Sequence, residues 1–242
     1  WKRVIAFHLD EYKGLPTTHP ASFAYFLNKN LFSKVNIPEG NINYVNGANP
    51  NLTAYMDKIR SLGGADIVML GVGMDGHLAF NEPPHYSKFN SRMQEVSLVP
   101  STIEANKEDY PEIVNNPYAY TQGMADIFEG KHLFFLANKA KKAQIVKQSL
   151  EGPITEDVPA SILQKHPKVT VVLDREAAGL LGKDENAASS GAARITEKDS
   201  ITIPIKAHQR IPVITMGNTT YGFGLVDNNQ NVSNFEECGW MR

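Results

Sequence analysis

The sequence predicts an α/β fold: an open, mainly parallel sheet with helices on both faces, followed by a C-terminal segment that fits no such unit. Three observations carry this. Short apolar runs, Val4–Leu9, Ala65–Leu70, His132–Ala137 and Val169–Leu173, read as strands, with Ala65–Leu70 buried on both faces. Segments with helical spacing stand between most of them. Alternation of the two kinds calls for parallel strands joined by covering helices.

The first run, Val4-Ile5-Ala6-Phe7-His8-Leu9, ends on Asp10-Glu11-Tyr12 and then a loop, Lys13-Gly14-Leu15-Pro16. His8 on such a strand reads as a packed core histidine. Pro20 suits a first helical turn, and Phe23, Phe26, Leu27 and Leu31 keep helical spacing after it. A second helix is expected from Pro50, with Leu52, Tyr55, Met56 and Ile59 on one face and Gly63-Gly64 closing it. The central strand, Ala65–Leu70, runs into Gly71-Val72-Gly73-Met74-Asp75-Gly76-His77-Leu78-Ala79-Phe80-Asn81-Glu82-Pro83. Gly71, Gly73 and Gly76 let that loop turn sharply and approach a ligand. Ligands bind beyond the carboxyl ends of strands in open α/β sheets, so Asp75, His77 and Glu82 are delivered to a ligand-binding edge.

Glu95–Val99 reads as a further strand, and residues 101–121, polar and without a clear period, as a long excursion or lid. A helix from Ala140 to Leu150 stops at Gly152-Pro153, Ala160–Leu163 is a short helical piece, and Arg175–Leu181 a last helix closed by Gly182. From Lys183 the character changes. Ala187–Ala193 is linker-like, and Ser200–Ile205 and Ile211–Met216 look like strands. The domain reading is therefore 1–182 for the Rossmann-like α/β domain and 183–242 for a linker and an unassigned β-rich tail.

Composition narrows the function classes. A net charge of −2 argues against a nucleic-acid surface built on bulk positive charge. The apolar runs are too short to span a bilayer as helices. Trp1-Lys2-Arg3 leads directly into a strand, so no secretory leader is expected. One cysteine, Cys238, permits no internal disulfide and fits a reducing cytoplasm. The Asp-x-His-x4-Glu spacing of the central loop has no second histidine at metal-site spacing, so no metal is expected.

The two strand ends, Phe7-His8-Leu9-Asp10-Glu11-Tyr12-Lys13-Gly14-Leu15 and Gly71 through Pro83, resemble the glucosamine-6-phosphate deaminase (isomerase) family. His166-Pro167 and Leu150-Glu151-Gly152 also match, and the resemblance covers about residues 1 to 182. It implies conversion of an aldosamine 6-phosphate, gluco or galacto, into the ketose 6-phosphate with loss of ammonia. Ring opening needs a group that titrates near neutrality, the implied role of His77, with Asp75 and Glu82 fixing its tautomer and charge. The proton shuttle between C2 and C1 falls by resemblance to Asp10. No redox step occurs, so no organic cofactor is required. A small phosphosugar is the implied partner, in the cytoplasm, with a homo-oligomer expected by family analogy.

Lys139, Lys141 and Lys142 crowd a helix start, where the macrodipole disfavours cations unless an anion sits there. By its spacing from Leu150-Glu151-Gly152, Lys142 matches the family's phosphate-holding lysine. The family's phosphate-binding arginine has no match in Thr102–Asp109, which offers only Lys107. The resemblance also implies a strand and a Gly/Ser/Thr-rich phosphate loop ahead of Val4, with no counterpart before Trp1. Ile211–Met216 followed by Gly217-Asn218-Thr219-Thr220 has the form of that missing element, as a circular permutation would place it; an appendage joined through the Ala/Ser/Gly linker is the rival reading. Two other functions compete: a 6-phosphogluconolactonase-type hydrolase, and a sugar-phosphate-binding paralogue without turnover. Asp10-Glu11-Tyr12 and Asn81-Glu82-Pro83 favour the deaminase.

Overall fold

A computed structural model describes residues 1–182 and the backbone of 211–215. The main sheet has six parallel strands in the order β3-β1-β9-β4-β7-β8: β1 (Val4–His8), β3 (Ile42–Asn43), β4 (Ile67–Leu70), β7 (Leu133–Ala137), β8 (Val169–Leu173) and β9 (Ile211–Thr215). Alternation along β1 explains how it is buried twice. Ile5 and Phe7 join Val68, Leu70, Leu133 and Phe135 in the larger core, while Ala6 turns to a smaller one with Leu27, Phe32 and Ile37. Helices α2 (Leu52–Ser61) and α5 (Ala143–Glu151) put Met56, Ile59, Ile145 and Val146 against the larger core.

A second, antiparallel sheet has the order β2-β6-β5: β2 (Asp10–Tyr12), β5 (Gln94–Ser97) and β6 (Tyr118–Thr121). Tyr12, Val96 and Ala119 pack there with Phe23, Phe80, Tyr110 and Ile113. Helix α3 (Pro100–Asn106) packs Ile103 against this second core and α1 (Phe23–Asn30) adds Phe23 to it, whereas α4 (Met124–Phe128) turns Met124 and Ile127 to the larger core.

Several boundaries differ from the sequence reading. Residues 101–121 are not an irregular excursion: they form α3, a 3₁₀ turn at Pro111–Val114 and β6. Their apolar residues, Ile113, Ala119 and Tyr110, face the second core, a short-range pattern that no single period reports. Asp10–Tyr12 does not prolong β1 but forms its own strand in the other sheet. The α1 and α2 helices begin later than their prolines suggest, because Ser22 and Asn51 accept from Tyr25 N and Ala54 N as N-caps. Arg175–Gly182 is a series of turns, not a helix. The Ala187–Ala193 linker and the Ser200–Ile205 strand lie outside the described residues.

Strand β9 sits between β1 and β4, pairing Val4 with Ile211 through His8 with Thr215, and Ile67 and Val68 with Val213 and Ile214. The permuted reading requires that placement, and a separate appendage does not supply it. Gly217–Thr220, which the same reading needs beside Lys142, lies outside the described residues.

Candidate active site

Parallel strands send their carboxyl ends to one edge, and three chemically loaded loops leave the main sheet there. Asp10 follows β1, the Gly71–Pro83 loop follows β4, and the lysine cluster follows β7.

The central loop is closed by its own backbone: Gly73 N donates to His77 O at 3.0 Å and Gly76 N to Gly73 O at 3.2 Å. A Cβ on Gly73 would come within 2.5 Å of three atoms of the His77 ring, so any side chain there must displace the imidazole. Gly76 has φ of +88°, and its carbonyl accepts from Ala160 N at 2.9 Å, docking the loop on the 3₁₀ segment Pro159–Lys165. Gly71 is buried at the strand exit. Ala79 takes φ of +54°, a conformation that costs an alanine about 1 kcal/mol, directly before Phe80-Asn81-Glu82.

His77 Nδ1 lies 2.6 Å from Asp75 Oδ1 and 3.9 Å from Glu82 Oε1. The same Asp75 oxygen accepts from His77 N at 3.1 Å. Burial would lift the Asp75 pKa, but hydrogen bonds from His77 and its charge hold the carboxyl below its ordinary value. Glu82 is fully buried, and burial raises its pKa against the bonds donated by the Thr102 hydroxyl and by Val99 N at 2.8 Å. One imidazole thus stands between an exposed-side carboxylate and a buried one. With Nδ1 turned to the carboxylates, Nε2 is the ring atom left to face a substrate.

Asp10 is 3% exposed, on β2 opposite Thr121, and its charge acts on the Tyr55 phenol. Glu11 beside it has a different task. Its two oxygens accept from Tyr12 N, Phe23 N, Ala24 N and the Ser22 hydroxyl, so it caps the start of α1. Burial pushes its pKa up to about 7, against those four bonds. His8 is a core histidine, as expected: its Nε2 accepts from Val45 N at 2.6 Å, and burial drops its pKa to about 3.

Lys142 reaches this edge. Its ammonium donates to Val72 O at 2.6 Å, within the central loop, and burial together with Lys141 lowers its pKa. The backbone at the start of the lysine cluster is already occupied: Lys139 N donates to Asp174 Oδ2 and Ala140 N to Glu176 Oε2. The anions at that turn are therefore the chain's own carboxylates, and Lys139 and Lys141 are exposed. Lys107 is exposed at the end of α3 and forms a 2.7 Å ion pair with Glu104, one turn back on the same helix. The sequence reading missed Thr102, Val99 and Gln122. Each acts through contacts 17 to 114 residues distant in the chain, which leave no local pattern.

Comparison with known proteins identifies the family and the fold. A family model described as glucosamine-6-phosphate isomerases/6-phosphogluconolactonase matches residues 1–172. Glucosamine-6-phosphate deaminase of Oenococcus oeni is 45% identical over 185 residues, 75% of this chain and 77% of the relative. Glucosamine-6-phosphate deaminase 2 of Bacillus subtilis is 42% identical, over 74% of each chain. Among solved structures, a monomeric glucosamine-6-phosphate deaminase superposes with a TM-score of 0.66 at 38% identity, covering 72% of this chain and 73% of its own. The 6-phosphogluconolactonase of Thermotoga maritima, at 22% identity and a TM-score of 0.57 over 72% of this chain and 74% of its own, shares the fold. From the 172 matched residues and the 45% identity, the chain belongs to the glucosamine-6-phosphate isomerase/6-phosphogluconolactonase family.

Proposed function

We propose that the protein converts an aldosamine 6-phosphate, with water, into the ketose 6-phosphate and ammonia, and that Asp10, Asp75, His77 and Glu82 carry the reaction. The observation that supports it best is the buried carboxylate Asp10 on the same sheet edge as a His77 held by two further carboxylates. A lactone hydrolase needs no carboxylate for carbon acid chemistry; an aldose-to-ketose conversion does.

His77 moves a proton from the anomeric hydroxyl to the ring oxygen, opening the sugar. Asp75 and Glu82 stabilise the imidazolium that forms in between. Asp10 then takes the C2 proton and returns it to C1 while a proton of the C2 ammonium passes to O1, which leaves a C1 hydroxymethyl and a C2 iminium. Water adds at C2 and ammonia departs, so the ketose oxygen comes from water. In this reading Lys142, whose ammonium lies at the central loop, meets the phosphate, with Gly71, Gly73 and Gly76 bringing backbone close to the substrate; Lys107 has its ion pair with Glu104 and is the weaker phosphate partner. The relatives' names favour the gluco epimer. The single cysteine suits a cytoplasmic setting. Self-assembly is open to light scattering, since a 38% identical relative is described as monomeric.

The test is ammonia release from glucosamine 6-phosphate and galactosamine 6-phosphate, run beside hydrolysis of 6-phosphogluconolactone. Ammonia release with no lactone turnover supports the reading. Lactone hydrolysis alone reassigns the site, and binding of phosphosugar without either reaction makes the chain a non-catalytic binder.

A further inference from the structure

Two separate chain segments bring the candidate catalytic groups to the site, and one buried strand end lies between them. Thr121 closes β6 opposite Asp10, and Gln122 follows it. Toward the first segment, Gln122 N donates to Leu9 O at 2.8 Å and its side-chain amide to His8 O at 3.2 Å. Toward the second, Gln122 O accepts from Asn81 Nδ2 at 2.8 Å, and Thr121 Oγ1 accepts from Phe80 N at 3.1 Å. Asn81 Nδ2 also donates to Leu78 O at 2.9 Å, so it staples the loop to itself and to the strand end. Gln122, Thr121 and Asn81 are all at most 1% exposed.

Such a network has few alternative arrangements. Water cannot replace a broken bond, and each member holds partners on two segments. We propose that Gln122, through Asn81, is a positioning residue that sets the placement of Asp10 relative to His77 and Glu82. Gln122 touches no reacting atom. It fixes the backbone on the amino side of Asp10 and, one residue before Glu82, the backbone of the central loop. Proton transfer at C2 and proton handling at the ring oxygen need one substrate pose that suits both groups. A shift of an ångström between them costs far more in turnover than in binding. The inference rests on the deaminase reading for its kinetic consequence, but the mechanical link does not.

The experiment uses the full chain and three variants. Gln122→Met keeps the length of the side chain and removes its amide. Asn81→Leu removes the opposite amide. Ile59→Val, a core truncation in α2 outside the link, reports what loss of stability alone does. With glucosamine 6-phosphate, Gln122→Met is expected to lower kcat about 10- to 100-fold, with KM within about threefold of the parent. The double variant is expected to lose no more than the worse single one, because both loosen the same connection between the segments, Gln122→Met at His8 O and Asn81→Leu at Gln122 O. Hydrogen exchange should quicken together in peptides covering 8–12 and 77–82 in Gln122→Met and stay unchanged there in Ile59→Val. A kcat within twofold of the parent, single losses that multiply, or exchange that rises in only one of the two peptides overturns the proposal. If the parent releases no ammonia, the deaminase reading fails and the exchange result alone decides the link. If Gln122→Met does not fold, Gln122→Leu, also without the amide, takes its place under the same criteria.

Discussion

Gly73 and His77 are packed so closely that the imidazole occupies the space a Cβ at position 73 would need. The clash of Gly73→Ala falls on a ring that can swing about its own side-chain bonds. The expected result is therefore a folded enzyme with a displaced imidazole. Turnover should fall by about 10²-fold or more, with melting within a few degrees of the parent. A parallel loss of stability and rate, proportional to each other, would show that the contact holds the fold and does not aim the ring.

Asp10→Asn replaces one buried polar side chain with another of the same shape. It removes only the ability to take and return a proton. Turnover should drop about 10²- to 10⁴-fold while phosphosugar affinity changes little. Calorimetric titration with the substrate separates the two quantities. If affinity disappears along with rate, Asp10 holds the sugar and another group shuttles the proton.

Lys142 contributes a partly desolvated ammonium tied to the Val72 carbonyl. For Lys142→Ala the balance reverses: KM should rise about 10-fold or more, with a smaller change in kcat, and inorganic phosphate should cease to compete. Phosphate that still inhibits Lys142→Ala as well as the parent would release Lys142 from the phosphate site and leave it as a tether for the glycine loop.

How much of this could be read from the residues depends on the range of the interaction that fixes each feature. The central loop announces itself because its determinants are adjacent in the chain: glycines where backbone must bend, and Asp75 two residues from the ring it holds. Buried runs such as Val68–Leu70 and Leu133–Phe135 are equally local. Residues 101–121 were opaque because their partners are distant in the chain: Thr102 bonds Glu82, 20 residues back, and Tyr118–Thr121 pairs with Asp10–Tyr12 and Gln94–Ser97. Glu11 illustrates the same limit. Its neighbour Asp10 has the same chemistry in sequence, yet only the fold turns Glu11 to the start of α1 and buries Asp10 opposite Thr121 with its charge acting on Tyr55.

His8 makes acid stability testable. Its folded pKa of about 3 lies below the ordinary histidine value, because burial among Tyr44, Tyr55 and Val45 disfavours the charged ring. The unfolded chain therefore binds more protons, and stability is lost as pH falls from about 6.5 toward 3. Glu11 and Glu82 act in the opposite sense, since their raised pKa values favour the folded state as they protonate. His8→Asn isolates the histidine and can still accept from Val45 N. Between pH 6.5 and pH 5 the parent should lose about 2 kcal/mol more than this variant in urea unfolding. Parallel pH curves for the two would mean that the buried ring accepts a proton without cost.

The strand Ile211–Thr215 ties a segment beyond residue 182 into the main sheet. It is the only element joining β1 to β4 among the described residues, and it lies in the middle of the sheet, not at its rim. Without it, two inner strands would each present an unpaired edge where both faces are already covered, and buried backbone groups without partners are costly. The effect on the site is geometric. Strands stand about 4.8 Å apart, so the exits of β1 and β4, which lead to Asp10 and to Gly71, are held about 10 Å apart by this one strand. Pro212 makes the arrangement less secure than its position suggests, because it pairs with Ile5 yet has no N–H to give to the ladder. A chain ending at Gly182 should therefore fail to reach a cooperative folded state: no sharp urea transition, and fast exchange of the Val4–His8 and Ile67–Leu70 amides that the full chain protects. Co-expressing residues 183–242 as a separate piece should restore part of that protection. A truncated chain that unfolds sharply, and protects both strands as the full chain does, would show that β1 and β4 close on each other and that the C-terminal strand is dispensable.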